Sequence, residues 1–593
     1  MTYHAPVLES FFFLEHCTSL KRLAESNPDL TPDLVKSVLE EAGKFADGVL
    51  APLNRVGDLE GTVFENGVVR TPKGWKEAYK AWAGAGWNGL GASPQYGGQG
   101  LPTLVNMACL EFWSSACMAW GLGPILTIAA IEALQAHASE ALKKKYLTRL
   151  VSGEWTGSMQ LTEPQAGSDL ATLRTRATRA NDGSYRLKGT KIFISYGEHD
   201  MTDNIIHLVL ARLPDAPPGT KGISLFLVPK FLVKDDGSLG ARNDVRASGV
   251  EHKLGIHASP TCTMVFGDNE GAIGYLVGEE NRGLACMFTM MNQARLAVGI
   301  QGVSIAERAM QQAFAFARER KQGAAPGASV TGPIIEHPDV KRMLLTMRAL
   351  TSASRAISYK CADAIDRAKH LQDKTERAAA QEEANMLTPI AKAFSTDTGI
   401  EVASIGVQVH GGMGFIEETG AAQHYRDARI AAIYEGTNGI QSIDLVTRKI
   451  GQSGGETLAR MIAGYRATAA QVKTLNDPAF GAIAPRMEEG IAALEGASQY
   501  LLAALGKNSV EIFAGATPYL RLFGLVAGSA YLAEAALASN AAVAAGDHDP
   551  AHAARIATAR FFAENLLAAA GGLERTVVSG AGSVLQAEAA LIA

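Results

Sequence analysis

The sequence predicts a mainly α-helical protein with a central β domain. Apolar residues recur at helical spacing from Thr31 to Leu150 and again from Leu284 onward. Between these regions, after Gly157, the apolar segments become short and β-branched, and Gly, Asp, Asn and Pro separate them. The chain has 593 residues. A single hydrophobic core stops growing at about 250 to 300 residues, so we expect several domains.

The composition is that of a globular protein without a nucleic-acid surface. Hydrophobic residues make up 47% and charged residues 19% of the chain, and the net charge of −5 offers no basic footprint. The six cysteines show no paired spacing, which predicts reduced thiols in a cytoplasmic protein rather than disulfides or a metal site. We find no signal-peptide pattern and no apolar run of about 18 residues, so no membrane span is expected.

The N-terminal region contains an extension, helices and one glycine-rich loop. We expect Phe11–Leu14 to pack as an added cap or a dimer contact. Seven glycines from Gly84 to Gly100 predict a loop, which a helix from about Leu104 to Ser115 follows. Helical periodicity resumes from Ile125 to Leu150, and we expect Lys143–Lys145 to form its basic last turn.

The β domain and the second helical region follow in order. Asn181-Asp182-Gly183 fits a hairpin turn. Strands are expected at Tyr185–Leu187, Ile205–Leu210, Ile223–Val228 and Thr263–Phe266. Long helices are expected at Asn292–Lys321, His337–Lys369 and Glu376–His410. Beyond Ile450, four amphipathic helices of an appended bundle are expected at Met461–Val472, Met487–Leu505, Leu520–Ala542 and Ala551–Ala569.

The stretch Ala432–Leu445 carries the strongest chemical signal. Glu435 precedes a glycine-rich turn, Gly436–Gly439, and an apolar run that predicts a helix, for which Thr437 or Asn438 could be the N-cap. Glu435 is therefore a candidate base next to a helix N-terminus, where anions bind. Glutamates are also common at helix starts, where the helix dipole favours them, so the motif alone leaves a structural role open.

Three further motifs precede this one, namely Thr162–Asp169 (T-E-P-Q-A-G-S-D), Lys191–Ser195 (K-I-F-I-S) and Gln408–Phe415 (Q-V-H-G-G-M-G-F). In this order, and together with Glu435–Asn438, they resemble the acyl-CoA dehydrogenase family over roughly Leu30 to Ile450. The resemblance implies a helical N-terminal domain, a small β-barrel or sandwich and a C-terminal four-helix bundle, here with an extra helical tail. We expect an extension (1–30), the N-terminal helical domain (31–157), the central β domain (158–283), the C-terminal bundle (284–450) and the tail (451–593).

The resemblance implies FAD-dependent α,β-desaturation of an acyl-CoA thioester to the trans-2-enoyl-CoA. Glu435 would remove the α-proton while the β-hydrogen leaves as hydride to flavin N5. Burial should raise the pKa of this carboxyl from its ordinary value of about 4.3 toward the working pH. Ala294 stands where some subfamilies carry their catalytic carboxylate, so Glu435 has no rival.

The resemblance also assigns binding residues. The Thr162–Asp169 motif would contact the flavin, although a plain Pro and Gly bend is the alternative. Phe193 and Ser195 stand where the family usually has Trp and Thr, so stacking is kept and the indole donor lost; a core position for Phe193 is the alternative. The implied cofactor-binding residues are Met159, Leu161, Thr162, Gly167, Ser168, Phe193, Ser195, Arg320, Gln322, Gln408, Gly412, Thr437 and Gly439. The implied substrate-binding residues are Ser168, Arg295, Tyr434 and Gly436.

Three departures from the family pattern bear on these assignments. An insertion at 323–332 follows Gln322, Pro338 replaces a usual glutamine, and Gly439 stands where a glutamine often contacts the cofactor. With the extension and the tail, they resemble the long bacterial branch of the family. The substrates of that branch imply 3-methylmercaptopropionyl-CoA (3-methylthiopropionyl-CoA) or a short, medium or long fatty acyl-CoA of lipid metabolism and β-oxidation.

The resemblance further implies partners and assembly. Electrons would pass to electron-transferring flavoprotein, and no metal is expected. Arg320, Gln408 and Gly412 would contact the FAD of a neighbouring subunit. The tail would fill the surface that shorter relatives use for tetramers, so a homodimer is expected, with a tetramer as the alternative. Two rival functions stay open: an acyl-CoA oxidase that uses oxygen, and a flavin-containing relative that binds nucleic acid.

Overall fold

The computed structural model describes residues 3–507 and 509–592. The chain forms two compact units. The first comprises Met1–Gly43, Thr103–Ser115 and Arg295–Ala593, and the second Lys44–Pro102 and Ala116–Ala294. Every strand of the described residues lies in the second unit. The predicted mainly helical fold with a central β domain is therefore confirmed.

The α-helices, in chain order, are α1 (Val7–Cys17), α2 (Leu20–Ser26), α3 (Pro32–Phe45), α4 (Leu53–Glu60), α5 (Trp75–Gly84), α6 (Thr103–Ala116), α7 (Met118–His137), α8 (Glu140–Val151), α9 (Gly283–Glu319), α10 (Pro338–His370), α11 (Lys374–His410), α12 (Ala421–Ala428), α13 (Asn438–Asp444), α14 (Glu456–Leu475), α15 (Ile483–Gly506), α16 (Glu511–Ala544), α17 (Pro550–Phe561), α18 (Ala570–Ser579), α19 (Ala581–Leu585) and α20 (Glu588–Leu591). The strands are β1 (Val63–Glu65), β2 (Val68–Arg70), β3 (Thr156–Gln160), β4 (Arg176–Arg179), β5 (Tyr185–Ser195), β6 (Ile205–Arg212), β7 (Ile223–Pro229), β8 (Phe231–Val233), β9 (Leu239–Arg242), β10 (Val245–Val250), β11 (Thr261–Phe266) and β12 (Ala272–Val277).

An eight-stranded sheet forms the core of the second unit. Its order is β10-β11-β5-β12-β7-β6-β3, and β4 pairs with β5 and β6. Strands β6 and β7 are buried on both faces, as their nearly continuous apolar sequences require. The predicted hairpin is confirmed: Arg179 pairs with Tyr185, and Gly183 adopts a positive φ of 79° in the turn.

The helical stretch predicted from Ile125 to Leu150 is wrong in two respects. It is two helices, α7 and α8, separated at Ser139, whose hydroxyl accepts a hydrogen bond from the Leu142 N–H at 3.4 Å and caps α8. Lys143–Lys145 therefore lies in the first half of α8, not in a last turn. Lys143 pairs with Glu140 at 2.9 Å in the first turn of that helix.

The N-terminal extension packs within the first unit. Phe12, Phe13 and Leu14 are buried on α1. The Tyr359 hydroxyl of α10 donates to Ser10 at 3.1 Å, and Arg555 of α17 donates to Glu9 at 2.9 Å. This part of the chain thus caps its own helices.

The tail contains helices at the four predicted places, and α14 and α15 begin five and four residues before the predicted starts, at Glu456 and Ile483. Helix α16 starts at Glu511 rather than Leu520 and continues through Pro518, a residue that normally ends a helix. The stretch predicted as Ala551–Ala569 changes to a π-helical turn at Phe562. Helix α18 follows and packs against α15 and α16, so the tail forms a bundle of more than four helices.

Two described helices are long and apolar enough to cross a membrane by length and composition alone: α7 and α16. Within their most apolar windows, 89% and 83% of the residues are buried inside the structure. Core helices of globular proteins satisfy the same test. Burial of this extent is what packing within the chain produces.

Candidate active site

Glu435 lies in a left-handed turn at the start of α13. Its φ is +55° and that of Gly436 is +83°. The Thr437 hydroxyl accepts a hydrogen bond from the Ile440 N–H at 3.3 Å, so Thr437 is the N-cap and Asn438 the first helical residue. A left-handed conformation costs a residue with a Cβ roughly 1–2 kcal/mol, and such strain concentrates at functional sites. The turn is therefore held in place by other contacts.

Helix α11 supplies these contacts through Lys392, which is fully buried. Its Nζ donates to the Gly436 carbonyl at 2.9 Å and to Asn438 Oδ1 at 2.8 Å. The Asn438 amide donates in turn to Asp397 at 2.7 Å. On the other side of the turn, the Gln441 amide donates to the Glu435 carbonyl at 3.3 Å.

The Glu435 carboxyl is half-buried, and three effects act on its pKa. Burial raises the pKa, and the positive charges of Arg295 and Lys392 oppose that rise. The net result is a pKa above the ordinary value of a glutamate. A carboxylate in this condition is a stronger base than one in water.

Arg295 of α9 is close to the same turn. A Cβ on Gly436 would lie 3.9 Å from Arg295 Nη2 and 2.8 Å from Gln441 Nε2, so the turn leaves no room for a side chain there. Burial lowers the pKa of the guanidinium, which the carboxylates of Asp444 and Glu435 raise. Arg295 Nε is buried and has no hydrogen-bond partner among the described residues. It is a donor available to a ligand.

Tyr434 is oriented by Gln301 of α9, whose side-chain oxygen accepts its hydroxyl proton. The Gln301 amide nitrogen is buried and has no partner in the described part of the chain. The predicted residues Arg295, Tyr434 and Gly436 are thus brought together with Glu435. Lys392, Gln301 and Gln441 were not predicted.

In the second unit, Glu163 organises the T-E-P-Q-A-G-S-D loop. Its carboxylate accepts hydrogen bonds from the N–H groups of Arg174 at 2.7 Å and Thr175 at 3.0 Å, and it pairs with Lys191 at 2.8 Å. Lys191 is fully buried and also donates to the Leu161 carbonyl at 3.0 Å. The pair of charges lowers the pKa of Glu163 to about 2 against the opposing effect of burial. The loop is thus built around a buried ion pair and is more than a Pro and Gly bend.

The predicted flavin residues of this unit present accessible groups. Gly167 and Ser168 are exposed, and a Cβ on Gly167 would meet no atom within 4 Å. Phe193 is 60% exposed and has a φ of +58°, so the alternative of a core position is wrong. Thr162 and Ser195 are half-buried, and Met159 is buried. An open backbone and an exposed aromatic ring suit a flat aromatic ligand with phosphates.

Arg320 and Gln322 lie at the base of the inserted loop. The Gln322 N–H donates to the Gly332 carbonyl at 3.2 Å and the Ile334 N–H to the Arg320 carbonyl at 2.7 Å, so the loop closes on itself and leaves both residues exposed. Arg320 contacts Gln322 at 3.4 Å and has no acidic partner among the described residues. Its charge is available to a phosphate.

Three further predicted contacts, Gln408, Gly412 and Gly439, are exposed, while Leu161 and Thr437 are half-buried. Gln408 lies in the last turn of α11, and Gly412 lies in the following turn, in which Phe415 is 86% exposed. Gly439 is exposed, and a Cβ there would meet only Thr437 Oγ1, at 3.8 Å. Among the described residues no group of three or more His, Cys, Asp or Glu could hold a metal ion, and the six cysteines are free and buried.

Four family models match the chain. They are those of the acyl-CoA dehydrogenase N-terminal domain (residues 34–154), middle domain (158–269) and C-terminal domain (281–450), and of the "Acetyl-CoA dehydrogenase C-terminal like" domain (461–588). The matches describe a helical, a β and two helical segments in the order that the structure shows. They define an oxidoreductase that acts on CH–CH bonds with FAD.

Characterised relatives and solved structures point to the same family as these four models. The 3-methylmercaptopropionyl-CoA dehydrogenase of Ruegeria pomeroyi is 46% identical over 96% of this chain and 96% of its own length. A butyryl-CoA dehydrogenase of Syntrophomonas wolfei is 35% identical over 90% of each chain. An acyl-CoA dehydrogenase from Bacillus anthracis, solved with FAD, has the same fold, with a TM-score of 0.70 and 22% identity over 93% of this chain and 88% of that one. The chain belongs to the acyl-CoA dehydrogenase family.

We expect Glu163→Gln to loosen the loop that it organises. The amide offers one acceptor where the carboxylate has two, and Lys191 loses its ion-pair partner. Backbone N–H groups of Arg174 and Thr175 should exchange with deuterium at least about tenfold faster, the effect of losing one charged hydrogen bond of about 1.5 kcal/mol. Asp182→Asn in the β4–β5 hairpin turn, a carboxylate with no hydrogen bond to the loop in the described part of the chain, is the matched control and should leave both exchange rates unchanged. Equal rates in Glu163→Gln and the wild type would show that the carboxylate does not hold the loop.

Proposed function

We propose that Glu435 is the base that removes the α-proton of an acyl-CoA thioester. The observation that carries this proposal is a half-buried carboxylate with a raised pKa on a strained turn, next to the unpaired donor of Arg295. The structure gives the Glu435 N–H no hydrogen-bond partner among the described residues. That N–H would bind the thioester oxygen, where negative charge develops as the proton leaves.

The chemistry balances with FAD as the oxidant. Bound FAD would accept the β-hydrogen as a hydride at N5 and so take up both electrons of the reaction. The α C–H bond breaks with its proton going to Glu435, and the electron pair that it leaves forms the double bond of the trans-2-enoyl product. Arg295, Tyr434, Gly436 and Ser168 are proposed to contact the acyl-CoA.

The main proposed FAD contacts are made by residues whose side chain or backbone is accessible. Phe193 would stack on the ring system, while Thr162 and Ser195 would donate hydrogen bonds to its edge. The exposed backbone at Gly167 and Ser168 allows close approach. The proposed set also includes Met159, Leu161, Arg320, Gln322, Gln408, Gly412, Thr437 and Gly439.

A short linear acyl group is the proposed substrate class, with 3-methylthiopropionyl-CoA first. Two relatives that span at least 90% of the chain bear the names of dehydrogenases for 3-methylmercaptopropionyl-CoA and butyryl-CoA. A thioether sulfur occupies about the space of a methylene group and is similarly apolar. A pocket for one of these chains therefore suits the other.

The proposed electron acceptor is electron-transferring flavoprotein, and the proposed location is the cytoplasm. We further propose a homodimer. The exposed turn with Gly412 and Phe415, together with the exposed Arg320, would then meet a second copy of the chain. Light scattering should give twice the mass of the chain; the mass of a monomer or a tetramer would contradict this proposal.

We expect Glu435→Gln to retain yellow flavin and acyl-CoA binding while losing turnover by about two to four orders of magnitude, the contribution of a positioned base. In the wild type, burial raises the pKa of Glu435, so the rate should fall as the pH drops through a value above 4.5. The measurement is the rate of flavin bleaching under anaerobic conditions between pH 5 and 9. Glu418→Gln, at an exposed carboxylate, is the control. Turnover near that of the wild type in Glu435→Gln would refute the assignment.

A panel of acyl-CoAs separates the remaining alternatives. We expect 3-methylthiopropionyl-CoA and butyryl-CoA to bleach the flavin faster than medium or long chains. In air, without an acceptor protein, little hydrogen peroxide should form, and added electron-transferring flavoprotein should restore turnover. Peroxide formation as fast as turnover with the acceptor would identify an oxidase. DNA binding that weakens steeply with salt would support the nucleic-acid-binding alternative.

A further inference from the structure

Lys392 of α11 is a fully buried lysine that is not among the predicted site residues. Lysine is almost never fully buried unless it is paired. Here it has no carboxylate hydrogen-bonded to it among the described residues, and its two acceptors are the Gly436 carbonyl and Asn438 Oδ1. Both acceptors belong to the turn that carries Glu435. The free-energy cost of burying this cation is therefore offset by hydrogen bonds that exist only in this geometry of the turn.

Asn438 is the second component of this arrangement. Its Oδ1 accepts from Lys392 at 2.8 Å and from Thr396 at 3.2 Å, and its Nδ2 donates to Asp397 at 2.7 Å and to the Ala393 carbonyl at 3.2 Å. All of these partners lie on α11. One helix, α11, therefore contacts Gly436 and Asn438, two of the three residues that follow Glu435.

We propose that Lys392 is a positioning residue for the reaction: its hydrogen bonds to Gly436 and Asn438 hold the left-handed turn that presents Glu435, and its charge favours the carboxylate form of that base. This inference rests on the proposed role of Glu435. Neither Lys392 nor Asn438 is among the site residues that the sequence predicts.

The surrounding charges are consistent with this role. Burial lowers the pKa of the Lys392 ammonium to about 7, while Glu435 and Asp397 oppose that shift. Below that pH the lysine is charged and acts on Glu435 as a cation, which opposes the rise in the Glu435 pKa that burial causes. The other charged groups around these residues are Arg295, Asp397, Arg429, Asp444, Arg448 and Arg521.

The experiment is the pH profile of anaerobic flavin reduction in the holoenzyme for Lys392→Met. We expect kcat to fall by about 10- to 100-fold with KM nearly unchanged, since misplacement of a catalytic group affects the chemical step. Removing the cation disfavours the carboxylate, so the acid limb should move up by about one pH unit. Asn438→Ala removes the hydrogen bonds between the turn and α11 that this side chain makes but no charge, so it should lower kcat and leave the acid limb in place. Lys392→Arg keeps the charge and should keep the acid limb within about 0.3 pH unit, a small part of the shift that an opposite charge causes.

A second readout does not depend on turnover. Infrared difference titration of the holoenzyme should show the Glu435 carboxyl, identified as the band absent in Glu435→Gln, with its pKa raised in Lys392→Met. Lys360→Met is the matched control, because Lys360 is also largely buried but pairs with Glu534 at 2.6 Å. An unchanged Glu435 band and acid limb in Lys392→Met, or an equal shift in Lys360→Met, would overturn the proposal. If Glu435→Gln retained turnover while the band still shifted in Lys392→Met, the proposed base would fail and the electrostatic coupling would stand.

Discussion

The hydrogen bond from Lys392 to the Gly436 carbonyl is the interaction on which the candidate site depends. A glutamate in the left-handed region is strained by roughly 1–2 kcal/mol, and a hydrogen bond to a charged group contributes about 1.5–3 kcal/mol, enough to offset that strain. The Gln441 amide holds the other side of the turn at the Glu435 carbonyl. With both sides held, the carboxyl keeps one orientation while its pKa responds to burial and to two nearby cations. Position and basicity of Glu435 are therefore set by the same residues.

Buried charge recurs in both units, each time where a loop or a helix contact must be unique. In the second unit, Lys191 and Glu163 fix the loop after β3. In the first unit, Arg355 pairs with Glu111 at 2.6 Å and with Glu307 at 2.7 Å, and so joins three helices. Such pairs add little net stability, but removing one partner leaves a buried charge at a cost of about 3–5 kcal/mol. They specify one arrangement because the alternatives would leave these charges unpaired.

Much of the fold could be predicted from periodicity and turn chemistry, and the main motifs from their order along the chain. Two of the differences in helix boundaries have local causes: the Ser139 cap divides α7 from α8, and Pro518 is tolerated inside α16. Lys392 could not be predicted because its partners are distant in sequence. The one available signal is its place in the apolar run Ile390–Phe394, since a buried lysine requires a partner. Phe193 is exposed and has a positive φ, and no sequence pattern reveals either property.

The tail packs against α11, the helix whose Lys392 is hydrogen-bonded to the turn that carries Glu435. Gly524 of α16 lies against Phe394 of α11, so closely that a Cβ there would be 2.2 Å from the ring. Arg521 lies over the same ring at 5.2 Å and pairs with Glu401 at 2.9 Å. Phe394 is two residues from Lys392, and helix neighbours move together because their backbone hydrogen bonds are shared. A shift of α16 would therefore be transmitted to α11 and to Lys392, whose hydrogen bonds hold the turn that carries Glu435.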